Sequence, residues 1–182
     1  LEADVNDWVK WGMSEGSIDP NVIAFIRYRP ELLFDFDKDS VAWASPRTWE
    51  SVSDIVKADS KGMVVNSQDQ SLIGGTVGDS VAIEFCAFMG MVNTLPDVSA
   101  IIKNPETYEI SDDPSVLYAL TGALARRSDA TNFDAIITYM TRDEMSNEFA
   151  VLCINDAITV NPKLAKTKAY VDFMGKYQHI MS

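Results

Sequence analysis

The residues best suited to chemistry occupy positions 43–49, where the chain reads Trp-Ala-Ser-Pro-Arg-Thr-Trp. Ser45 is a favourable N-cap residue, and Pro46 suits the first helical position, where a backbone N–H would have no intrahelical acceptor. Arg47 then falls in the first turn, where the helix dipole and the free backbone N–H groups already favour negative charge. The pattern therefore predicts a helix start that binds an anion.

The anion need not come from outside the chain. Glu50 follows Arg47 by three residues, a spacing that places both side chains on the same face of a helix. A local ion pair between Arg47 and Glu50 would satisfy the guanidinium without any ligand. The residue types by themselves leave a phosphate and this carboxylate as alternative partners.

A family resemblance bears on this choice. Residues 44–47, Ala-Ser-Pro-Arg, resemble the motif of that sequence in MoxR-type AAA+ ATPases. The resemblance continues in residues 18–26 (Ile-Asp-Pro-Asn-Val-Ile-Ala-Phe-Ile), in residues 27–33 (Arg-Tyr-Arg-Pro-Glu-Leu-Leu), in Trp43 and Trp49, and in residues 113–120 (Asp-Pro-Ser-Val-Leu-Tyr-Ala-Leu). Nearly the whole chain thus resembles the C-terminal portion of a phage or prophage MoxR-like ATPase.

The resemblance implies a specific role for the helix start. In that family the arginine of the motif, called sensor 2, opens a helix of the small helical lid and contacts the nucleotide. Ser45, Pro46 and Arg47 would then form the ATP contact, with Arg47 on the γ-phosphate as the catalytic residue. The intact protein would use ATP and Mg²⁺. Movement of the lid would report hydrolysis to neighbouring subunits of a chaperone-like ring, often beside a protein with a von Willebrand factor A-type domain.

Two parts of an ATPase site are missing from this sequence. It contains no Gly-x-x-x-x-Gly-Lys-Ser/Thr loop to bind phosphates and no strand ending in paired acidic residues to hold Mg²⁺. The chain also begins Leu-Glu-Ala without an initiator methionine, as expected of a fragment whose upstream AAA+ core has been removed. We expect no ATPase activity and no cofactor for this chain alone, and the upstream core is its first expected partner.

Two other functional classes compete with the ATPase interpretation. One is a nucleotide-independent helical interaction or adaptor module of phage or prophage origin, in which Arg47 serves a local salt bridge. The other is a DNA-binding helical protein, which the net charge of −12 disfavours because the acidic surface would repel the phosphate backbone. Arg126 and Arg127 are adjacent, but a pair of cations at a helix C-terminus interacts favourably with the helix dipole. This pair is therefore explained without nucleic-acid binding.

Apolar residues recur at helical spacing along the chain, and strand-like alternation is rare. We therefore predict an all-α multi-helix bundle of eight to eleven helices. The most apolar stripe lies on a helix over about residues 79–93, where Phe85 and Phe88 should be buried. A break near residues 59–67 would separate a lid-like helical domain, residues 1–64, from a C-terminal helical extension, residues 65–182, and the two could share one core.

Composition and cysteine usage predict a cytoplasmic location. The apolar runs are too short to cross a membrane, and no signal segment opens the chain, so we expect no membrane partner. Cys86 and Cys153 lie among apolar residues and should be reduced core residues rather than a disulfide. The chain has one histidine, His179 near the C-terminus, so no Cys/His metal group is expected.

Two further segments imitate binding loops. Residues 35–39, Asp-Phe-Asp-Lys-Asp, resemble the start of a calcium loop, but Ser40 replaces the required glycine and Pro46 the terminal glutamate. We interpret this segment as a solvated acidic turn. Residues 74–78, Gly-Gly-Thr-Val-Gly, have the composition of a phosphate-binding loop but no lysine follows them, and we interpret them as a tight junction between helices.

The first testable prediction concerns nucleotide binding by the isolated chain. Because it lacks the loop that supplies most phosphate contacts, we expect little or no binding of Mg-ATP in calorimetric titration. Micromolar affinity, on the order of −8 kcal/mol, would contradict this expectation.

Overall fold

A computed structural model of the chain describes residues 4–36, 38, 40–58 and 67–177. The structure is 72% helical, and these described residues form ten α-helices and no strand or sheet. The prediction of an all-α multi-helix protein is therefore confirmed. His179 lies outside the described residues. Among the described residues, no helix combines the length and apolar composition needed to cross a membrane.

The chain divides into two compact units, residues 1–95 and residues 96–182. The described helices of the first unit are α1 (Val5–Ser14), α2 (Pro20–Tyr28), the 3₁₀ helix Pro30–Leu33, α3 (Pro46–Ala58), α4 (Ser67–Val77) and α5 (Asp79–Val92). Those of the second unit are α6 (Val98–Lys103), α7 (Pro114–Arg127), α8 (Phe133–Met140), α9 (Asn147–Val160), the 3₁₀ helix Pro162–Lys166 and α10 (Lys168–Tyr177).

The division between the units differs from the break that the sequence indicated at residues 59–67, most of which lie outside the described residues. Helices α4 and α5 pack against α3 and α2, respectively. Both helices bury apolar side chains, and this burial stabilises their packing. Helices α4 and α5 therefore belong to the first unit and not to the predicted C-terminal extension.

Three aromatic rings form the centre of the first unit. Phe25 of α2, Trp49 of α3 and Phe85 of α5 have ring centroids 5.2–5.6 Å apart, and each is at most 1% exposed. Their tilted and edge-to-face arrangements are the favoured ones for aromatic pairs. The indole N–H of Trp49 donates to the carbonyl oxygen of Leu32 at 2.7 Å, so its one polar group is satisfied inside the core. Phe88 adds a fourth ring 5.4 Å from Phe25.

Side-chain caps define where these helices begin. The Asp4 carboxylate accepts from the N–H of Asp7 at 2.9 Å at the start of α1, and the Asp19 carboxylate accepts from the N–H of Asn21 at 2.8 Å at the start of α2. The backbone N–H of Asp19 donates to Ser53 Oγ on α3 at 2.7 Å. Because Ser53 is buried, this bond also fixes the start of α2 against α3.

The second unit is built around the packing of α7 against α9. Tyr118 and Phe149 meet edge to face across this pair, with centroids 4.9 Å apart. Tyr139 of α8 is buried and donates its hydroxyl to the carbonyl oxygen of Glu109 at 3.1 Å; burial raises the pKa of Tyr139 to about 12. These contacts form a separate core for residues 96–182.

Both cysteines are free, in agreement with the sequence prediction of reduced thiols. Cys153 lies fully inside the second unit, and burial raises its thiol pKa well above the ordinary value. Cys86 on α5 is only partly buried, and burial raises its pKa as well. Neither thiol is therefore activated as a nucleophile, because activation requires a lowered pKa.

The aromatic core predicts the cost of removing one ring. Phe85→Ala should lower the free energy of unfolding by about 3–5 kcal/mol, since a fully buried phenylalanine leaves a cavity in contact with Phe25 and Trp49. Ile83→Ala on the same helix, at a site that is 55% exposed, should cost less than about 1 kcal/mol. Urea unfolding followed by circular dichroism measures both. Equal losses for the two variants would contradict the assigned core.

Candidate anion site at the start of α3

Two short extended segments lead into α3. Residues 34–36 and 43–45 run antiparallel and are joined by a single bridge between Asp35 and Ala44, in which the Asp35 N–H donates to the Ala44 carbonyl at 3.0 Å. Ala44 is fully buried, so the bridge is anchored on the body of the first unit. The chain therefore reaches Ser45 in a fixed direction.

A reciprocal cap begins the helix. The N–H of Ser45 donates to Thr48 Oγ1 at 2.8 Å, and the N–H of Thr48 donates to Ser45 Oγ at 3.3 Å. This is the geometry of a capping box, with threonine in the place usually held by glutamate or glutamine. Ser45 thus has the predicted N-cap position. Its partner Thr48 was not identified from the sequence, because the usual signature requires a longer side chain three residues after the cap.

The cap leaves little of the backbone available to an anion. Pro46 has no N–H, the N–H of Thr48 is used by the cap, and that of Trp49 donates to the Ser45 carbonyl at 3.0 Å. Within the described residues, the N–H of Arg47 is the one first-turn amide without an acceptor. The expected set of free N–H groups is thus reduced to one, and the guanidinium must supply most of any anion contact.

The core sets the direction in which Arg47 points. Successive helical residues are about 100° apart, so Arg47 and Trp49 lie about 200° apart around α3 and face nearly opposite sides. Trp49 is fully buried, and Arg47 is exposed. Because the packing of Trp49 fixes the rotation of α3, it also holds Arg47 towards solvent.

The Arg47 guanidinium is uncommitted. No ion pair with Glu50 or with any other described residue is formed, so the local salt bridge considered from the sequence is not present. In the described part of the chain, Arg47 is the one arginine whose guanidinium has no partner. The arginines that do have partners are Arg27, Arg29, Arg126, Arg127 and Arg142.

Arg29 shows the opposite behaviour. Its guanidinium pairs with Glu31 at 2.6 Å and also with Glu84 of α5. The hydrogen bond from Arg29 holds the pKa of the Glu31 carboxyl below its usual range. Arg29 therefore joins the 3₁₀ helix to α5 and is not available to an external anion, although it lies within the stretch that resembles the AAA+ family.

The glycine-rich segment 74–78 is a helix junction, as interpreted from the sequence. Residues 74–77 belong to α4, and Gly78 alone separates α4 from α5. Gly78 has φ +95°, and a Cβ there would lie 3.2 Å from the Ala42 carbonyl oxygen. Both the left-handed backbone and the close approach require glycine. The segment packs against the loop before α3 and does not form a phosphate-binding loop.

The acidic segment 35–39 shows no metal geometry where it is described. Asp35 takes part in the bridge to Ala44, whereas Asp37 and Asp39 lie outside the described residues. Over residues 4–36, 38, 40–58 and 67–177, no group of three or more His, Cys, Asp or Glu side chains could hold a metal ion.

Exposed aromatic side chains before the helix were not identified from the sequence. Phe34 and Phe36 are 56% and 58% exposed, and Trp43 is 37% exposed. The available signal was the alternation Phe-Asp-Phe-Asp over residues 34–37, which has the period of an extended strand with aromatic residues on one side. The same alternation is the spacing of a calcium loop, and from the sequence we weighed only that interpretation against a solvated acidic turn, which we favoured.

No protein-family model, curated protein or solved structure matches this chain. Among the described residues, the start of α3 combines a satisfied cap, one free amide and an unpaired arginine held towards solvent by a buried tryptophan.

The cap predicts a measurable contribution to stability. Ser45→Ala should cost about 0.5–2 kcal/mol, because it removes the acceptor for the Thr48 N–H. Ser51→Ala, at an exposed position inside the same helix, is the matched control and should change stability by no more than about 0.5 kcal/mol. Denaturant unfolding of both variants measures the difference. A neutral Ser45→Ala would mean that the cap does not stabilise α3.

Proposed function

We propose that this chain is the lid and C-terminal helical region of a MoxR-like AAA+ ATPase, in which Arg47 is the sensor-2 arginine. The observation that carries the proposal is the unpaired, exposed Arg47 at the capped start of α3. A guanidinium kept free of the abundant carboxylates of an acidic chain is suited to an anion that arrives with another domain. In this proposal the anion is the γ-phosphate of ATP, as the resemblance of residues 18–50 to the family implies.

In the proposed mechanism Arg47 supplies the positive charge that contacts the phosphate. The guanidinium carries a permanent positive charge and presents donors that match phosphate oxygens. Contact with the γ-phosphate would stabilise the charge that spreads over the transferring phosphoryl group. Ser45 and Pro46 act by fixing the start of α3, so that Arg47 is presented with its direction already set. Mg²⁺ and the remaining phosphate contacts would come from the core domain.

The wider assembly is part of the same proposal. The upstream AAA+ core would hold ATP and Mg²⁺, and neighbouring subunits would form a chaperone-like ring in which lid movement reports hydrolysis. A protein with a von Willebrand factor A-type domain would be a further partner. The acidity of the chain favours protein partners over nucleic acid. These partners follow from the resemblance and are tested by reconstitution, not by the fold.

A second candidate is a nucleotide-independent helical adaptor module of phage or prophage origin. The exposed aromatic residues Phe34 and Phe36 favour it, because solvent-facing aromatic side chains are typical of protein-binding surfaces. The coding sequence immediately upstream separates the two candidates. A Gly-Lys-Ser or Gly-Lys-Thr phosphate loop there supports the ATPase, and a natural start codon just before Leu1 supports the adaptor.

Substitution of Arg47 tests the proposed role. In the chain alone, Arg47→Ala should change the free energy of unfolding by less than about 1 kcal/mol, because the side chain is exposed and unpaired. In the protein extended to include the upstream core, the same change should slow ATP turnover by about 10²–10³-fold, the cost of removing one preorganised donor to transition-state charge. Steady-state phosphate release measures the rate.

Lys57→Ala provides the matched control for charge. Lys57 lies on the same helix, its side chain is 40% exposed, and its partner among the described residues is nearby Asp54 at 3.5 Å. Its removal should leave turnover within about twofold of the native rate, because a surface charge far from the nucleotide contributes little. Native turnover by the extended Arg47→Ala protein would eliminate the sensor role.

A further inference from the structure

A positively charged surface lies near the C-terminus of this acidic chain. Residues 157–171 contain three lysines and no acidic residue, whereas the whole chain carries 27 acidic and 15 basic residues. The three lysines are Lys163, Lys166 and Lys168, and we name them the lysine turn. All three are exposed. Positive charge is thus concentrated within a few positions of a chain whose net charge is −12.

Packing within the second unit holds the lysine turn in place. Lys163 and Lys166 belong to the 3₁₀ helix Pro162–Lys166, which packs against both α9 and α10. Leu164 of this helix is buried, and the hydroxyl of Thr167 donates to the Leu164 carbonyl oxygen at 2.7 Å. Because a 3₁₀ helix has three residues per turn, the side chains of Lys163 and Lys166 lie on the same side of it. A partner would meet a preorganised surface, which reduces the cost of binding.

The charge of the lysine turn is not neutralised within the described part of the chain. None of the three ammonium groups forms an ion pair with a described residue. On α9, Asp156 is buried, and Glu148 lies in the first turn, about 18 Å along the axis from the end that leads into the lysine turn. On α10, Asp172 follows Lys168 by four residues but does not pair with it. The positive charge is therefore available to an external anion.

An exposed apolar side chain adjoins the lysines. Val171 follows Lys168 by three residues on α10, so the two side chains lie on the same face of that helix. Val171 is 61% exposed. The surface thus offers positive charge with an apolar contact beside it, and a partner that has both carboxylates and an apolar side chain complements the two features.

The acidity of the rest of the chain limits the size of the anionic partner. A nucleic acid or an anionic membrane extends well beyond three lysines, so it would bring phosphates close to the acidic remainder of the chain. A second copy of the chain would bring a further net charge of −12. Charges are screened beyond about 8 Å at physiological salt, so a short segment that covers only the lysine turn avoids most of this repulsion. A short acidic protein segment therefore fits best.

We propose that the lysine turn, with Val171 beside it, is a docking surface for a short acidic segment of another protein that also carries apolar side chains. Carboxylates of the segment pair with the ammonium groups, and an apolar side chain contacts Val171. The proposal goes beyond the nucleotide role of Arg47, because it concerns the second unit and requires no ATP. Docking and ATP sensing can therefore fail separately in experiment.

The test uses the whole chain and a short labelled peptide of glutamates with two central leucines, followed by fluorescence anisotropy at near-physiological salt. The native chain should bind this peptide. It should bind at least about tenfold more weakly to a matched peptide with glutamine in place of glutamate, and at least about threefold more weakly to one with serine in place of leucine. Failure of the glutamate–leucine peptide to bind, or equal binding of all three peptides, would overturn the proposal. Equally tight binding of a thymidine oligonucleotide of the same charge would overturn the assignment to a protein segment.

Variants then locate the binding surface. The triple substitution K163Q/K166Q/K168Q should weaken binding of the glutamate–leucine peptide at least about tenfold. The matched control K10Q/K57Q/K103Q removes the same total charge from three other exposed lysines and should leave binding within about twofold. Equal loss in both variants would mean that total charge, and not the lysine turn, controls binding. Circular dichroism and thermal unfolding establish that each variant is folded.

A charge-exchange variant tests the sign of the contact with a single substitution. Lys166→Glu should weaken binding of the glutamate–leucine peptide and strengthen binding of a matched lysine–leucine peptide, and the absence of such an exchange would contradict the assigned charge preference. Sedimentation of the native chain as a dimer that K163Q/K166Q/K168Q abolishes would overturn the proposal and assign the surface to a second copy.

Discussion

The packing of Trp49 against Phe25 and Phe85 is the contact on which the first unit depends. Three helices meet at these rings, and the Trp49 indole also donates to the Leu32 carbonyl, so one side chain fixes α2, α3, α5 and the 3₁₀ helix together. Because the ring is fully buried, α3 has little freedom to rotate about its axis. The direction of every other side chain on α3, including Arg47, follows from that constraint.

Two arginines of the first unit differ in whether the fold pairs their charge. Arg29 forms ion pairs with Glu31 and Glu84, so its charge is paired within the fold. Arg47, on the face opposite the buried tryptophan, has no partner among the described residues although the chain is strongly acidic. An exposed ion pair contributes little to stability, so leaving Arg47 unpaired costs the fold little and keeps the guanidinium available.

The start of α3 and the exposed aromatic residues Phe34, Phe36 and Trp43 are close along the chain and differ in chemistry. The aromatic rings are followed directly along the chain by the Ser45–Thr48 cap and by Arg47, whose guanidinium has no partner among the described residues. The cap consumes the backbone donors that would otherwise bind an anion. The arginine side chain is consequently the main group at this helix start that could contact an anion.

Local patterns in the sequence determined the helical class, the capped start at Ser45 and the burial of Phe85, because periodicity and capping act over a few residues. Only the tertiary structure decided which groups meet. The sequence placed Glu50 within reach of Arg47, but the ion pair formed was that of Arg29 with distant Glu84, a pairing with no local signature. The roles that the structure adds, those of Thr48 in the cap and of the exposed rings of Phe34, Phe36 and Trp43, likewise depend on how the chain turns. That turn is set by the buried Ala44, by Gly78 and by the aromatic core.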